Sequence, residues 1–286
     1  MFDENSIIWI NGEFKAAKDI NISIFTHGLH YGTGIFEGCR AYGGKVFKMQ
    51  EHHERLIKSG ELVDVPVKYS IKELNDATAE VLKRNNLTDA YVRPLAWRGS
   101  EMLGMQSNKT SVNVAIMAWY WGNYYGEEKI NQGIKLGHAE FIRPDPKCLP
   151  VQSKTTGIYF IGSMLKNRAD TQGYDDVLML DYRGYIAECA ACNIFFVKNN
   201  ELHTPIPDCF LNGITRQTVV EIAKKLGYKV VERHILPEEL GSFSEAFTTG
   251  TAVEVMPVGE IFGVHKYPEK KVSLEIRGEY LTLAVS

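Results

Sequence analysis

The chain has 286 residues, with 32 Lys+Arg against 35 Asp+Glu, a formal charge of −3, 44% hydrophobic and 23% charged residues. This balance is ordinary for a globular protein; it excludes a disordered or collagen-like chain and gives no electrostatic reason to bind nucleic acid or an anionic membrane. The length favours about two domains, and five scattered cysteines (Cys39, Cys148, Cys189, Cys192, Cys209) imply no disulfide framework. In chain order, Ile7–Ile10 reads as a strand entering an Asn11-Gly12 hairpin turn, and Gly43-Gly44 separates strands Ile35–Tyr42 and Lys45–Met49. A helix beginning near His52 follows. Ser70 to Glu73 spells a capping box, after which Ile71, Leu74, Ala77, Val81 and Leu82 share a helical face. Ala90–Trp97 and Val112–Trp121 read as strands, and the polar, glycine-bearing stretch from Gly122 to Gly133 as a linker.

The second half mixes the same elements. A helix over Tyr159–Gln172 stops at Gly173, strands follow at Asp176–Leu180, Ile186–Glu188 and Asn193–Val197, and a helix from about Thr215 stops at Gly227. After Ser273 there is room for one helix. The pattern predicts an α+β chain of two domains, 1–125 and 135–286, joined by 126–134, with mixed or antiparallel sheets. The longest uncharged run, Thr110–Gly126, is too short and polar to span a membrane. Residues 1–6 lack the basic and apolar stretches of a signal peptide, so a cytoplasmic protein is expected. The eight histidines are scattered and His52 and His53 face different ways on a helix, so no metal site is expected.

Lys154 is the only charged residue between Lys147 and Lys166. A lysine so placed, between a strand-like segment and a helix, can be desolvated into a nucleophile, although a lone lysine is usually a surface residue. Glu188 stands among small residues between two strands, either facing solvent or pairing with a cationic ring nitrogen. Gly213-Ile214-Thr215-Arg216 opens a helix, which suits phosphate binding, while Thr215 also suits a plain N-cap. The turn Thr248 to Val253 offers a second set of backbone amides. On a strand, Tyr91-x-Arg93 puts a phenol and a guanidinium on one face, a pairing suited to carboxylates, and Arg55 lies on the helix upstream.

Together with Leu29-His30-Tyr31-Gly32-Thr33-Gly34-Ile35-Phe36-Glu37-Gly38, these motifs resemble, in order and over nearly the whole chain, the class IV pyridoxal-phosphate aminotransferases, most closely the branched-chain amino acid aminotransferases. The resemblance implies a smaller N-terminal and a larger C-terminal domain, with pyridoxal 5'-phosphate in the cleft between. It implies that Lys154 holds the cofactor covalently and moves the substrate proton, that Glu188, supported by Asn193, meets the pyridine nitrogen, and that Tyr159 meets the ring phenolate. Arg55, Gly213, Ile214, Thr215, Gly250 and Thr251 would hold the phosphate region. Tyr91 with the Thr251 and Ala252 amides would bind the substrate α-carboxylate, and Arg93 the distal carboxylate of glutamate or 2-oxoglutarate. Phe36, Gly38, Trp121 and Tyr124 would line the side-chain pocket, with Tyr31 supplied by a partner subunit. The implied reaction moves an amino group between a branched-chain L-amino acid and a 2-oxo acid, in a homodimer or a dimer-based hexamer.

Two features depart from the family pattern. Cys189-Ala190-Ala191-Cys192 has redox-pair or metal-pair spacing, but without a second cysteine pair it reads as buried packing. Arg98, close after Arg93, would admit dicarboxylates or bulkier amines if it faced the pocket. An aminodeoxychorismate lyase, or a transaminase for D-amino acids or R-amines, is the alternative on the same scaffold.

Overall fold

Both glycine-marked turns close hairpins. In the computed structural model, which describes residues 3–286, β1 (Ile7–Ile10) turns at Asn11-Gly12 onto β2 (Glu13–Ala16). A short helix α1 (His27–Tyr31) leads into β3 (Gly34–Phe36) and β4 (Cys39–Tyr42), and β4 turns at Gly43-Gly44 onto β5 (Lys45–Val46). The strand read as 35–42 is thus two strands, because the chain leaves the ladder at Glu37 and Gly38. β5 is only two residues long, since Met49 already begins α2 (Met49–Leu62), three residues ahead of the expected start. Helix α3 (Ile71–Arg84) carries the full capping box: Glu73 N–H donates to Ser70 Oγ, and Ser70 N–H donates to Glu73. Its stripe of Leu74, Ala77, Val81 and Leu82 is buried, worth about 1.5–3 kcal/mol for each large side chain. Long strands β6 (Ala90–Arg98) and β7 (Val112–Tyr120) complete a seven-stranded, wholly antiparallel sheet ordered β2-β1-β7-β6-β4-β5, with β3 also on β6.

The chain divides into two compact units, one of residues up to Gly122 plus Ser153–Ile158, the other of Asn123–Gln152 plus Tyr159–Ala284. The segment read as a linker, 126–134, is folded: it forms α4 (Glu127–Gln132), tethered by Lys129 to Asp175 at 2.8 Å, and Ile134 opens β8 (Ile134–His138). Two flanking glycines, Gly126 and Gly133, and few apolar residues hid this six-residue helix. Helix α5 (Thr156–Thr171) starts three residues before the expected Tyr159. β9 (Asp176–Leu180), β10 (Ile186–Cys189), β11 (Asn193–Lys198) and β12 (Glu201–Thr204) follow, then α6 (Ile214–Lys225) and β13 (Lys229–Glu232). β14 (Glu245–Gly250), β15 (Glu254–Ile261), β16 (His265–Lys266) and α7 (Lys271–Val285) end the chain. The sheet of this unit is mixed, ordered β10-β9-β8-β15-β14-β11-β12-β13 with β16 on β15, and parallel at β8–β9, β8–β15 and β12–β13. Its core gathers Ile134, Leu178, Ile194, Phe196, Phe243 and Met256. Among the described residues, no helix is long and apolar enough to cross a membrane.

Candidate functional site

The first cluster lies wholly in the first unit. Lys154 is held by its backbone: its N–H donates to Ser59 Oγ at 3.0 Å, and its carbonyl accepts from Phe36 N–H at 3.0 Å. Thr155 bridges to Ile35, so the segment behaves as one more strand beside β3. The Lys154 ammonium lies 4.7 Å from the Phe36 ring centroid. Burial, and then the positive charge of Arg55, pull its pKa down to about 8, with Glu37 and Tyr91 opposing. Such an amine has a far larger neutral fraction near physiological pH than an ordinary lysine and can act as nucleophile and base.

Glu37 organises the cations. Its carboxylate is fully buried and accepts from Arg55 Nε at 2.6 Å, from Arg55 Nη2 at 2.8 Å and from His52 Nδ1 at 2.7 Å. Burial alone would raise the Glu37 pKa, but the Arg55 fork and His52 hold it well below the carboxylate range. The same burial lowers the His52 pKa, so His52 donates from a neutral ring. Three cationic side chains, Arg55, Arg93 and Lys154, share this cluster with one carboxylate, a surplus that attracts anions.

Tyr91 and Arg93 share a face of β6, as their spacing predicts. The Arg93 guanidinium stacks 4.6 Å from the Phe36 centroid and 5.4 Å from that of Tyr91, and its Nε is buried without a hydrogen-bond partner. Tyr91 packs 5.0 Å from Trp121. Gly38 is required here: a Cβ on it would overlap the Tyr91 hydroxyl. Phe36, Gly38, Arg55, Tyr91, Arg93 and Lys154 thus come together, with Trp121 beside them. Tyr31 is elsewhere, half exposed at the end of α1 against His27. Arg98 does not face this cluster; its guanidinium donates to the backbone carbonyls of Asp64 and Thr110, so it braces a loop.

The second cluster belongs to the second unit. Glu188 is not a solvent-facing strand end: it is 7% exposed, with Oε1 2.9 Å from Arg143 Nε and Oε2 accepting from Asn193 Nδ2 at 3.0 Å. Asn193 Oδ1 in turn accepts the Gly213 N–H at 3.2 Å, and a Cβ on Gly213 would overlap that same oxygen. Gly213, not Thr215, caps α6; Thr215 lies inside the first turn. The amides of Ile214, Thr215 and Arg216 open the helix, where no intrahelical acceptor exists. Thr249 pairs across the ladder with Asn193, and its buried Oγ1 has no hydrogen-bond partner. Strand β14 runs on through Gly250, so the turn is shorter than its sequence implied, with half-buried Thr251 and Ala252 at its head. Tyr159 sits half-buried on α5, and Tyr124 packs edge-on against Tyr125 at 4.6 Å. Cys189 and Cys192 are both buried and not disulfide-bonded, and burial holds the Cys189 pKa far above its usual range.

Sequence reasoning missed the roles of Glu37, His52, Arg143 and Thr249. Only Glu37 carried a signal, as the one Asp, Glu, Lys or Arg between Asp19 and Arg40.

Residues 34–261 match the family Amino-transferase class IV. The branched-chain-amino-acid aminotransferase of Pseudomonas aeruginosa is 40% identical over 267 residues, covering 92% of this chain and 87% of that protein. The solved Escherichia coli branched-chain amino acid aminotransferase superposes with a TM-score of 0.93 at 36% identity, covering 98% of this chain and 94% of the other. The T.th. branched-chain amino acid aminotransferase, solved with pyridoxamine 5'-phosphate, gives 0.94 at 35% identity, with coverage of 98% and 94%.

Proposed function

The chain belongs to the class IV aminotransferases, and from that premise we propose that it uses pyridoxal 5'-phosphate to transfer the amino group of a branched-chain L-amino acid to 2-oxoglutarate. Lys154 carries the proposal: its lowered pKa of about 8 and its pinned backbone suit an amine that bonds a cofactor and then handles a proton. The donor set fits a phosphorylated pyridine aldehyde. The partnerless Thr249 Oγ1 and the open amides of α6 suit an anion, and the buried Glu188 carboxylate suits a protonated ring nitrogen. Arg55, Gly213, Ile214, Thr215, Gly250 and Thr251 would hold the phosphate region, Tyr159 the ring hydroxyl, and Glu188 with Asn193 the nitrogen.

When bound, the cofactor supplies an electron sink for the carbanion left after α-proton removal. Every other task falls to the chain's own residues. Lys154 Nζ takes the α-proton and later returns a proton, base and then acid in one group. Tyr91, with the Thr251 and Ala252 amides, would orient the α-carboxylate. The unspent Nε donor of Arg93 would meet the distal carboxylate of 2-oxoglutarate. Phe36, Gly38, Trp121 and Tyr124 would give a branched aliphatic chain its apolar surroundings.

Absorbance spectroscopy tests the reading. Protein loaded with pyridoxal phosphate should absorb in the visible, lose that band on adding L-leucine alone, and regain it with 2-oxoglutarate. Capture by the apoprotein should accelerate as pH rises to about 8. A band indifferent to leucine but sensitive to another amine would overturn the substrate, and a protein that takes up no pyridoxal phosphate would overturn the role of Lys154.

Gly38→Ala is expected to displace the Tyr91 phenol while leaving the fold intact. Steady-state kinetics should show KM for the amino acid rising about tenfold, since tenfold corresponds to about 1.4 kcal/mol of lost carboxylate binding, with kcat changed less. An unchanged KM would remove Tyr91 from substrate binding.

We further propose a homodimer in the cytoplasm, a compartment consistent with a sparse, odd set of cysteines. Ile22, Ile24, Phe25 and Leu29 are 49–73% exposed in one stretch, beside a cavity of about 390 Å³ that Ile22 and Leu29 help to line. Ile24→Asp with Phe25→Asp should shift the sedimenting species to monomer; a wild-type protein that sediments as a monomer would refute the dimer.

A further inference from the structure

Arg143 is buried at 7% exposure, and no motif marks it. Its backbone N–H donates to the Leu180 carbonyl at 2.8 Å, which fixes it beside the end of β9. From there one guanidinium does two things. Its Nε lies 2.9 Å from Glu188 Oε1, and its Nη2 donates to the Ala190 carbonyl at 3.0 Å and the Cys189 carbonyl at 3.4 Å. The side chain thus ion-pairs with the carboxylate through Nε, which makes no hydrogen bond, and holds the backbone that follows it through Nη2. Asn193 takes the other carboxylate oxygen and passes the constraint to Gly213 at the start of α6.

The neighbouring charges are already matched. Asp176 of β9 has Lys166 of α5 at 3.4 Å, and Asp181 has Arg183 at 2.6 Å. Cys189, Cys192, Tyr124 and Tyr125 also face this corner, with Asp208 and Cys209 beside Asp181, and the buried Cys189 thiol stays protonated far above neutrality. Arg143 is therefore the cation assigned to Glu188. A buried carboxylate deprived of its cation is strongly disfavoured as an anion, and taking a proton relieves it.

We propose that Arg143 is a positioning residue that keeps the Glu188 carboxylate an oriented anion facing the cofactor's ring nitrogen. This rests on the proposed pyridoxal-phosphate function, but its consequences reach the apoprotein as well. The alternative is that Arg143 merely braces the turn through the two carbonyls.

Thermal unfolding of apoprotein variants separates the two. Arg143→Met should be less stable than wild type, and the deficit should be larger at about pH 8 than at about pH 5.5. The sign follows from linkage: the stranded Glu188 binds protons more tightly folded than unfolded, so its stability falls as pH rises. Adding Glu188→Gln should recover most of the loss and abolish its pH dependence. In the loaded enzyme, Arg143→Met should weaken pyridoxal phosphate at least tenfold and move the acid limb of the kcat/KM profile to higher pH, with Arg143→Lys restoring part of both. A deficit that is independent of pH and not relieved by Glu188→Gln would overturn the proposal in favour of the brace. If Arg143→Met does not fold, Arg143→Lys with and without Glu188→Gln makes the same comparison. A wild-type protein that ignores pyridoxal phosphate would sink the proposed function, while the apoprotein data would still decide the Arg143–Glu188 coupling.

Discussion

Lys154→Ala is expected to lower kcat/KM for L-leucine and 2-oxoglutarate by about 10⁴-fold, the upper end of what one acid–base group contributes, and to leave a protein that no longer holds pyridoxal phosphate through dialysis. The fold should survive, because what ties residue 154 in place is backbone: the donation to Ser59 Oγ and the acceptance from Phe36 remain available to alanine. Unchanged circular dichroism would therefore accompany the loss. Lys154→Arg is the sharper control. It keeps a cation over Phe36, where Lys154 Nζ now lies 4.7 Å from the ring centroid, but a guanidinium stays protonated and cannot serve as nucleophile or base. Its activity should match that of the alanine variant. Single-turnover measurement with preformed pyridoxamine phosphate isolates proton transfer from cofactor capture. A Lys154→Ala enzyme that sustains turnover near the wild-type rate would end the proposed chemistry.

How far such a site can be read from sequence depends on how local its causes are. Helix α3 was legible because its capping box and its stripe are contiguous, and both recur in the structure. The hairpin turns were legible for the same reason. Helices α1 and α4 were not, being five and six residues long, too short for a period of 3.6 to register. Lys154 announced itself through an uncharged surround, and burial is what then lowers its pKa. Arg143 gave no sign, because its meaning lies 45 residues away on Glu188, and ion pairs across such gaps leave no periodic trace. The Glu37–Arg55 pair shows the middle case. The isolation of Glu37 hinted at a buried charge, but only the fold brings α2 back across β3 to supply the fork.

That fork makes Glu37→Gln the other substitution with a large expected effect. Removing one partner of a buried ion pair costs about 3–5 kcal/mol, and here Gln would also turn a donor-bearing amide toward Arg55 and His52, which are themselves donors. Urea unfolding of the apoprotein at neutral pH should show this loss. The pH dependence has a definite sign. The folded-state pKa of Glu37 is lowered, so its stabilisation is complete above the unfolded value of about 4.5 and lost as pH falls through the folded value. The gap between wild type and variant should therefore hold from neutral pH to about 4.5 and narrow below it. His52 adds a separate trend in the wild type: its lowered pKa favours the neutral ring, so stability declines as pH falls below about 6.5. Glu37 also opposes the lowering of the Lys154 pKa, so its neutralisation should move that amine below about 8 and shift cofactor capture to lower pH. The one substitution thus weakens the protein and frees its nucleophile together. A variant as stable as wild type, with capture still centred near 8, would mean that the buried carboxylate neither anchors Arg55 nor acts on Lys154.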